Sequence, residues 1–412
     1  MPTRLIVASA DQRHAMTAAD AARKAGLEAT LAIGAALSQA QRALLPRRLA
    51  VRTPVADRHR FIGAGTAKIG RRLPGIRSSA LKDRWWLAAE KDFDSWLSRW
   101  IVTDHASLPV AYFHGFGGFA AQAQIVAKDL GMKVLNDVFE MHPLIERAIE
   151  RRECDVLGIS APPISGARSE LMARRLSAIA SADVLVAGLP SVAHSLREGG
   201  AHQTIITGGY TVPAWAQSAM PRRTALSTLP PSPLRVLFVG QVHWYKGLHR
   251  ALMALELLPA GSVEFTVVGA TYPGPVADRI LELVERVRRH TPVHLAGTLS
   301  RQALTDQFQS SHVLLFPSVV GGIGLATLEA AAHGLPVLVS SDEGVLRDGE
   351  SCIVCGTDPA SIAASLERVM EDPSAAEGIG LRASQMLLGP SEPTDYGSRL
   401  TEFLMFDAQE RI

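Results

Sequence analysis

A chain of 412 residues, 47% hydrophobic and 20% charged, is too long for one ordinary core and too apolar for disorder. Its formal net charge of +2 excludes little, because the basic residues are segregated along the chain. Three cysteines are too few for a disulfide framework and point to a reducing, cytoplasmic setting.

The chain opens with "RLIVASA", a strand pattern whose apolar run is too short for a signal peptide, followed by the helical "MTAADAARKAG". Between Gln41 and Trp86 stand twelve Lys/Arg against two acids, so the basic excess is confined to this region and the remainder is net acidic. Trp85 and Trp86 close the region, with Trp96 and Trp100 just beyond. Tryptophans beside basic residues suit an anionic membrane surface, so peripheral attachment to the inner face of a membrane is expected. The lone G-x-G of "FIGAGTAKIG" follows no strand and lacks a third glycine, which excludes a dinucleotide fingerprint. The uncharged run from His105 to Ala127 is broken by "HGFGG" and two glutamines, and makes a poor membrane span.

Further strands are expected at "PVAYFHG", "KVLNDVF" and "DVLVAG", with "ELMARRLSAIASA" as a helix between them. This reading places His114 just past a strand, ahead of a glycine-rich turn, with Asp137 and His142 as weaker candidates on the same side. Residues 1–210 form the first domain. Pro221, Pro230, Pro231 and Pro233 stiffen residues 211–233 into a linker.

From Leu234 the pattern becomes regular. "LRVLFVG", "VEFTVVG", "VHLAG", "VLLFPS" and "PVLVSS" read as strands buried on both faces, alternating with helices such as "GLHRALMALELL" and "GLATLEAAAHG". Strand–helix alternation means parallel βαβ units. The fold class is therefore α/β, with two doubly wound Rossmann-like domains, the second spanning 234–390. Ligands of such folds bind beyond the carboxyl ends of the strands. Cys352 and Cys355 lie in "SCIVC", which reads as strand packing and not as a metal site. Residues 391–412 read as a C-terminal helix expected to pack back on the first domain.

The chemistry concentrates in "SVVGGIGLATLEAAAHGLPVLVS". A strand delivers the chain to Gly321, Gly322, Ile323 and Gly324, and a helix starts at Leu325. Unpaired N–H groups and the positive helix end favour an anion there. Glu329, about a turn and a half in, can accept two hydrogen bonds from a vicinal diol such as a ribose. In "FVGQVHWYKG", Lys246 precedes the next helix on a loop at the same end of the sheet, where a cation can neutralise a diphosphate.

These blocks resemble glycosyltransferase family 4 (group 1), retaining enzymes of the GT-B fold. "LFVGQVHWYKGLHRALMAL" is similar to the family's G-R-x-x-x-x-K-G loop and helix, and "LRDGESCIVCGTDPASIAASL" to its D-G-x-x-G-x-L-V…D-P segment. "FPSVVGGIGLATLEAAAHGLPVLVS" is similar to its P-S-x-x-E-G-F-G-L-x-x-L-E block. The resemblance implies a nucleotide-sugar donor bound by Gln241, Gly321, Gly322, Ile323, Gly324, Leu325 and Glu329. Lys246 would stabilise the leaving diphosphate, and His114 would contact the sugar. It implies no metal and no cofactor beyond the co-substrate. Two positions depart from the family pattern: Gly321 stands where the first of two glutamates is usual, and Gln241 where arginine is usual.

The function expected is transfer of a hexose from a nucleotide sugar to a glycan or lipid-linked acceptor. A silent relative that binds nucleotide sugar or glycan without turnover is the alternative that Gly321 and Gln241 suggest. The basic region carries no recognised nucleic-acid motif, so no nucleic-acid partner is expected.

Overall fold

The computed structural model describes residues 4–9, 12–33, 79–107, 111–164, 166–209, 233–389 and 396–410. Most of the basic stretch, the G-x-G and the proline linker lie outside the described residues. The chain divides into two compact units, Met1–Pro143 with Pro163–Gly209 and Thr394–Ile412, and Leu144–Pro162 with Tyr210–Pro393.

The first unit is built on a six-stranded parallel sheet: β1 (Arg4–Ser9), β2 (Glu28–Ile33), β3 (Tyr112–Phe116), β4 (Lys133–Val138), β5 (Val184–Ala187) and β6 (Thr204–Thr207), in the order β2-β1-β3-β4-β5-β6. β1, β3 and β5 are buried throughout, as their unbroken apolar runs require. Alternation puts Tyr112, His114 and Phe116 of β3 on one face. On that face Leu5, Val7, Tyr112 and Val186 pack against the alanines of helix Gln12–Lys24 and against Tyr396, Leu400 and Leu404 of helix Tyr396–Glu410.

Polar ties fix that last helix at both ends. Tyr396 OH donates to Asp137 Oδ2 (2.5 Å), at the carboxyl end of β4. Asp407 accepts from Tyr112 OH (2.9 Å) and pairs with Lys133, where β3 and β4 begin. The helix therefore runs antiparallel to the strands beneath it. The long helix Ser79–Ser107 belongs to a second layer with helices Ala121–Asp129 and Gly166–Ser181. Phe93 meets Phe119 there at 4.8 Å between centroids, and Trp86 meets it at 5.9 Å.

The second unit holds β7 (Leu234–Val239), β8 (Val263–Val268), β9 (Val293–Gly297), β10 (Val313–Phe316), β11 (Val337–Val339) and β12 (Ile353–Val354), all parallel, in the order β12-β11-β10-β7-β8-β9. Its core runs from Val236 and Phe238 through Phe265 to helices Leu248–Leu255 and Pro275–Val287. Helix Pro143–Val156 precedes β5 in the chain, yet from Leu144 it clusters with this second unit. Cys154 and Leu157 enter its core, and buried Glu153 bonds His249 (2.8 Å) and Arg250 (2.9 Å). These two partners hold the Glu153 carboxyl down at about 2 against the cost of its burial.

One strand differs from the sequence expectation. β9 is buried only at Val293 and exposed from His294 to Gly297, because it lies at the sheet edge. Cys352 and Cys355 flank the two-residue β12 as free, buried thiols, and burial pushes both up to about 12. Among the described residues no helix is long and apolar enough to cross a membrane.

Candidate active site

β7 and β10 are neighbours, but from β7 the chain steps outward through β8 and β9, and from β10 the other way through β11 and β12. The strand order reverses between them. The loops leaving their carboxyl ends therefore part, and this is where an open parallel sheet receives a ligand.

The two loops are laced together. The Tyr245 carbonyl accepts from the N–H groups of Val319 (2.9 Å) and Val320 (3.2 Å) and from the Ser318 hydroxyl (3.0 Å). Ser340, at the end of β11, donates its hydroxyl to the Ser318 carbonyl (2.7 Å). Gly247 has φ 72°, and a Cβ there would lie 1.8 Å from the Pro317 oxygen, so only glycine allows this approach.

Lys246 ends the short 3₁₀ turn Trp244–Lys246. Its ammonium lies 5.2 Å from the Tyr245 ring centroid and 5.1 Å from that of Phe316, over both aromatic faces. Burial pushes its pKa below the usual lysine range, so the charge is poorly hydrated and gains more from an anionic partner. Phe316 also reaches the glycine turn: a Cβ on Gly324 would meet its ring at 3.0 Å. One ring thus spaces the cation from the helix start. The Tyr245 hydroxyl donates to the Gln241 side-chain oxygen, which leaves the exposed Gln241 its NH₂ group to offer a ligand.

The glycine turn has a physical reason for its composition. Gly321 adopts φ 72°, a left-handed conformation that a glutamate at this position would take up only with strain. Gly322 is pressed against the next loop, where a Cβ would lie 2.5 Å from the Ser341 oxygen. The expectation that the amides from Gly322 to Leu325 stand open to an anion needs two corrections: the Gly322 N–H is already donated to Glu343 Oε1 at 2.7 Å, and the Gly324 N–H to Thr327 Oγ1 at 3.4 Å. The Ile323 side chain is buried in the core. The helix proper, Leu325–Ala332, begins at Leu325 and Ala326, whose N–H groups have no acceptor four residues back within the helix.

Glu329 completes the site. Thr327, Leu328, Ala330, Ala331 and Ala332 are buried, while Leu325, Ala326 and Glu329 form the open face. Helical side chains tilt toward the helix N-terminus, the end at which the Leu325 and Ala326 amides lie. Sequence reasoning singled out Lys246 and Glu329 but not Phe316 and Glu343, which the structure sets against Lys246 and the glycine turn. Phe316 read only as the end of "VLLFPS", and Glu343 lies on a separate loop.

The first-unit candidates fall differently. His114 is not past the end of its strand but in the middle of β3, paired in register with Val7 and Leu135, and 0% exposed. Its Nε2 meets Asp137 Oδ2 at 2.6 Å, and the same oxygen accepts from Tyr396. His114 Nδ1 and Asp137 Oδ1 have no partner among the described residues. His142 is also buried; its backbone N–H donates to Ser195 Oγ (3.0 Å), and burial, then nearby Arg175, pushes its pKa down. His114 and Asp137 thus form a buried polar pair beneath helix Tyr396–Glu410, away from any solvent-facing position.

Comparison with known proteins reaches the same region. A family model described as glycosyl transferases group 1 matches residues 233–372. Glycogen synthase of Mycobacterium tuberculosis is 28% identical over 190 residues, covering 45% of this chain and 44% of that protein. D-inositol 3-phosphate glycosyltransferase of Streptomyces bingchenggensis is 30% identical over 168 residues, covering 38% and 37%. The chain spans less than half the length of these curated relatives. Sucrose-phosphate synthase of Thermosynechococcus elongatus superposes over 99% of both chains with a TM-score of 0.62 at 14% identity. The Anabaena protein HepE, solved with UDP, superposes over 100% of both at 0.57 and 12%. At such identities these structures share the α/β fold with this chain. The match to the group 1 glycosyl transferase model spans residues 233–372, the part of the chain that carries Lys246, the glycine turn and Glu329.

Proposed function

We propose that the protein transfers a hexose from a nucleotide sugar to a glycan or lipid-linked acceptor, with retention at the anomeric carbon and without a metal. The observation that carries this reading is the convergence of Lys246, the first-turn amides of Leu325 and Ala326, and Glu329 at the β7/β10 switch point. Proteins of the same fold support the donor class: HepE is solved with UDP and with UDP and glucose, and the Burkholderia xenovorans trehalose-phosphate synthase is named as UDP-forming.

In this reading Glu329 accepts the two ribose hydroxyls, while the diphosphate lies between Lys246 and the helix start. The anomeric C–O bond breaks and its electron pair passes to the diphosphate oxygen, whose growing charge Lys246, the amides and the Gln241 NH₂ stabilise. The acceptor hydroxyl forms the new C–O bond on the same face and gives its proton to the departing phosphate. The positive charge needed comes from the chain itself. A panel of UDP-, GDP- and ADP-sugars tests the proposal: release of nucleoside diphosphate from at least one of them, undiminished by EDTA, is expected. Binding of nucleotide without release would favour the silent relative, and metal dependence would overturn the mechanism.

A further inference from the structure

Glu343 stands out on three counts. It is a carboxylic acid only 4% exposed. It is the non-glycine residue with positive φ, 52°, among the described residues. It also reaches across from the loop after β11 to accept the Gly322 N–H at 2.7 Å.

Each observation carries a cost unless something offsets it. Left-handed backbone is strained for a side chain with a Cβ, and a glycine at 343 would avoid that strain. A buried carboxylate also loses hydration. What the arrangement gains is a charge-assisted bond to one particular peptide, the one joining Gly321 to Gly322. Neither glycine has a side chain to hold that peptide, and Gly321 is itself left-handed. The loops are close enough for the bond to matter, since Gly322 leaves no room for a Cβ against Ser341. Around it the loop is braced locally, with Glu343 N–H on Ser341 Oγ (3.4 Å) and Gly344 N–H on Asp342 Oδ1 (3.2 Å).

We infer that Glu343 is a positioning residue of the donor site. It fixes the orientation of the Gly321–Gly322 peptide and so sets the path by which the chain enters helix Leu325–Ala332. Its negative charge also occupies the Gly322 amide, which steers a donor diphosphate to the helix amides and to Lys246. This rests on the donor site proposed above.

Two variants test it. Glu343→Gly relieves the left-handed strain and removes the tether. The expected result is an unchanged or raised melting temperature together with a fall of about tenfold or more in kcat for the donor. Glu343→Gln keeps a side-chain oxygen for the Gly322 N–H and should retain most of the activity. Amide hydrogen exchange reads the tether without any turnover: residues 321–325 should exchange faster in the glycine variant than in the wild type. If the wild type releases no nucleoside diphosphate but exchange rises as expected, the functional reading fails and the positioning role stands. Wild-type kinetics and exchange in Glu343→Gly would overturn the inference. So would a melting temperature that falls in step with activity, which would make Glu343 an ordinary part of the core.

Discussion

Lys246 stands on the loop after β7 and Glu329 in the helix after β10, and their variants should fail differently. Glu329→Gln leaves one acceptor oxygen where a ribose presents two donors. The loss of a charge-assisted hydrogen bond is worth about 1.5–3 kcal/mol, so kcat/KM should fall roughly 10- to 100-fold. Wild-type kinetics on every donor would remove the nucleotide from this helix. Lys246→Ala should lower kcat more than it raises KM, because charge on the leaving group grows only in the transition state. Lys246→Arg should recover part of the loss, and a change confined to KM would contradict the role. Both residues were legible in the sequence because each interrupts a pattern: a lysine at a strand–helix junction, an acid in an apolar helix. Phe316 and Glu343 were not. A phenylalanine ending a strand carries no mark of the cation it will cover, and the contact between positions 322 and 343 exists only once β10 and β11 pair.

At the scale of elements, the regular spacing of the second unit made its strands and helices readable, while the first unit hid three elements. β2 begins with a glutamate and β6 is a short, half-exposed edge strand, so neither shows a buried-strand run. Helix Ser79–Ser107 was missed because its apolar face is interrupted by a charged cluster. In that cluster Arg174 bonds both Asp94 (2.6 Å) and Glu90 (3.3 Å), while Asp94 also accepts the N–H groups of Gln122 and Ala123 at the start of helix Ala121–Asp129. One guanidinium serves two acids. Burial wins at Glu90 and raises its pKa from 4.5 to about 7, despite the arginine. The sign follows directly: the folded state holds this proton more tightly than the unfolded chain. The resulting stabilisation is complete below pH 4.5 and is lost as pH rises through about 7. Glu90→Gln mimics the protonated acid. Its melting temperature should match the wild type near pH 4 and exceed it increasingly toward pH 7; a gap independent of pH would mean that Glu90 does not titrate in this range.

Across the whole chain, the basic stretch 41–86 contrasts in charge with an acidic remainder. Of the tryptophans near it, Trp85 is exposed at the start of helix Ser79–Ser107, whereas Trp86 packs on Phe119 and Trp96 stacks on Trp100. The proposed membrane-associated acceptor therefore rests mainly on charge. Sedimentation with anionic liposomes should show binding that fades as salt rises. Equal binding to neutral liposomes, or none to anionic ones at low salt, would favour a soluble acceptor. The central claim concerns the second unit alone: its β7/β10 switch point holds a nucleoside diphosphate. Amide hydrogen exchange with and without UDP, GDP and ADP tests this most directly, because it needs neither the sugar nor the acceptor. At least one nucleotide should slow exchange in residues 240–247 and 317–329 and leave β9 unchanged. Protection confined to other parts of the chain, or none with any of the three, would contradict the account.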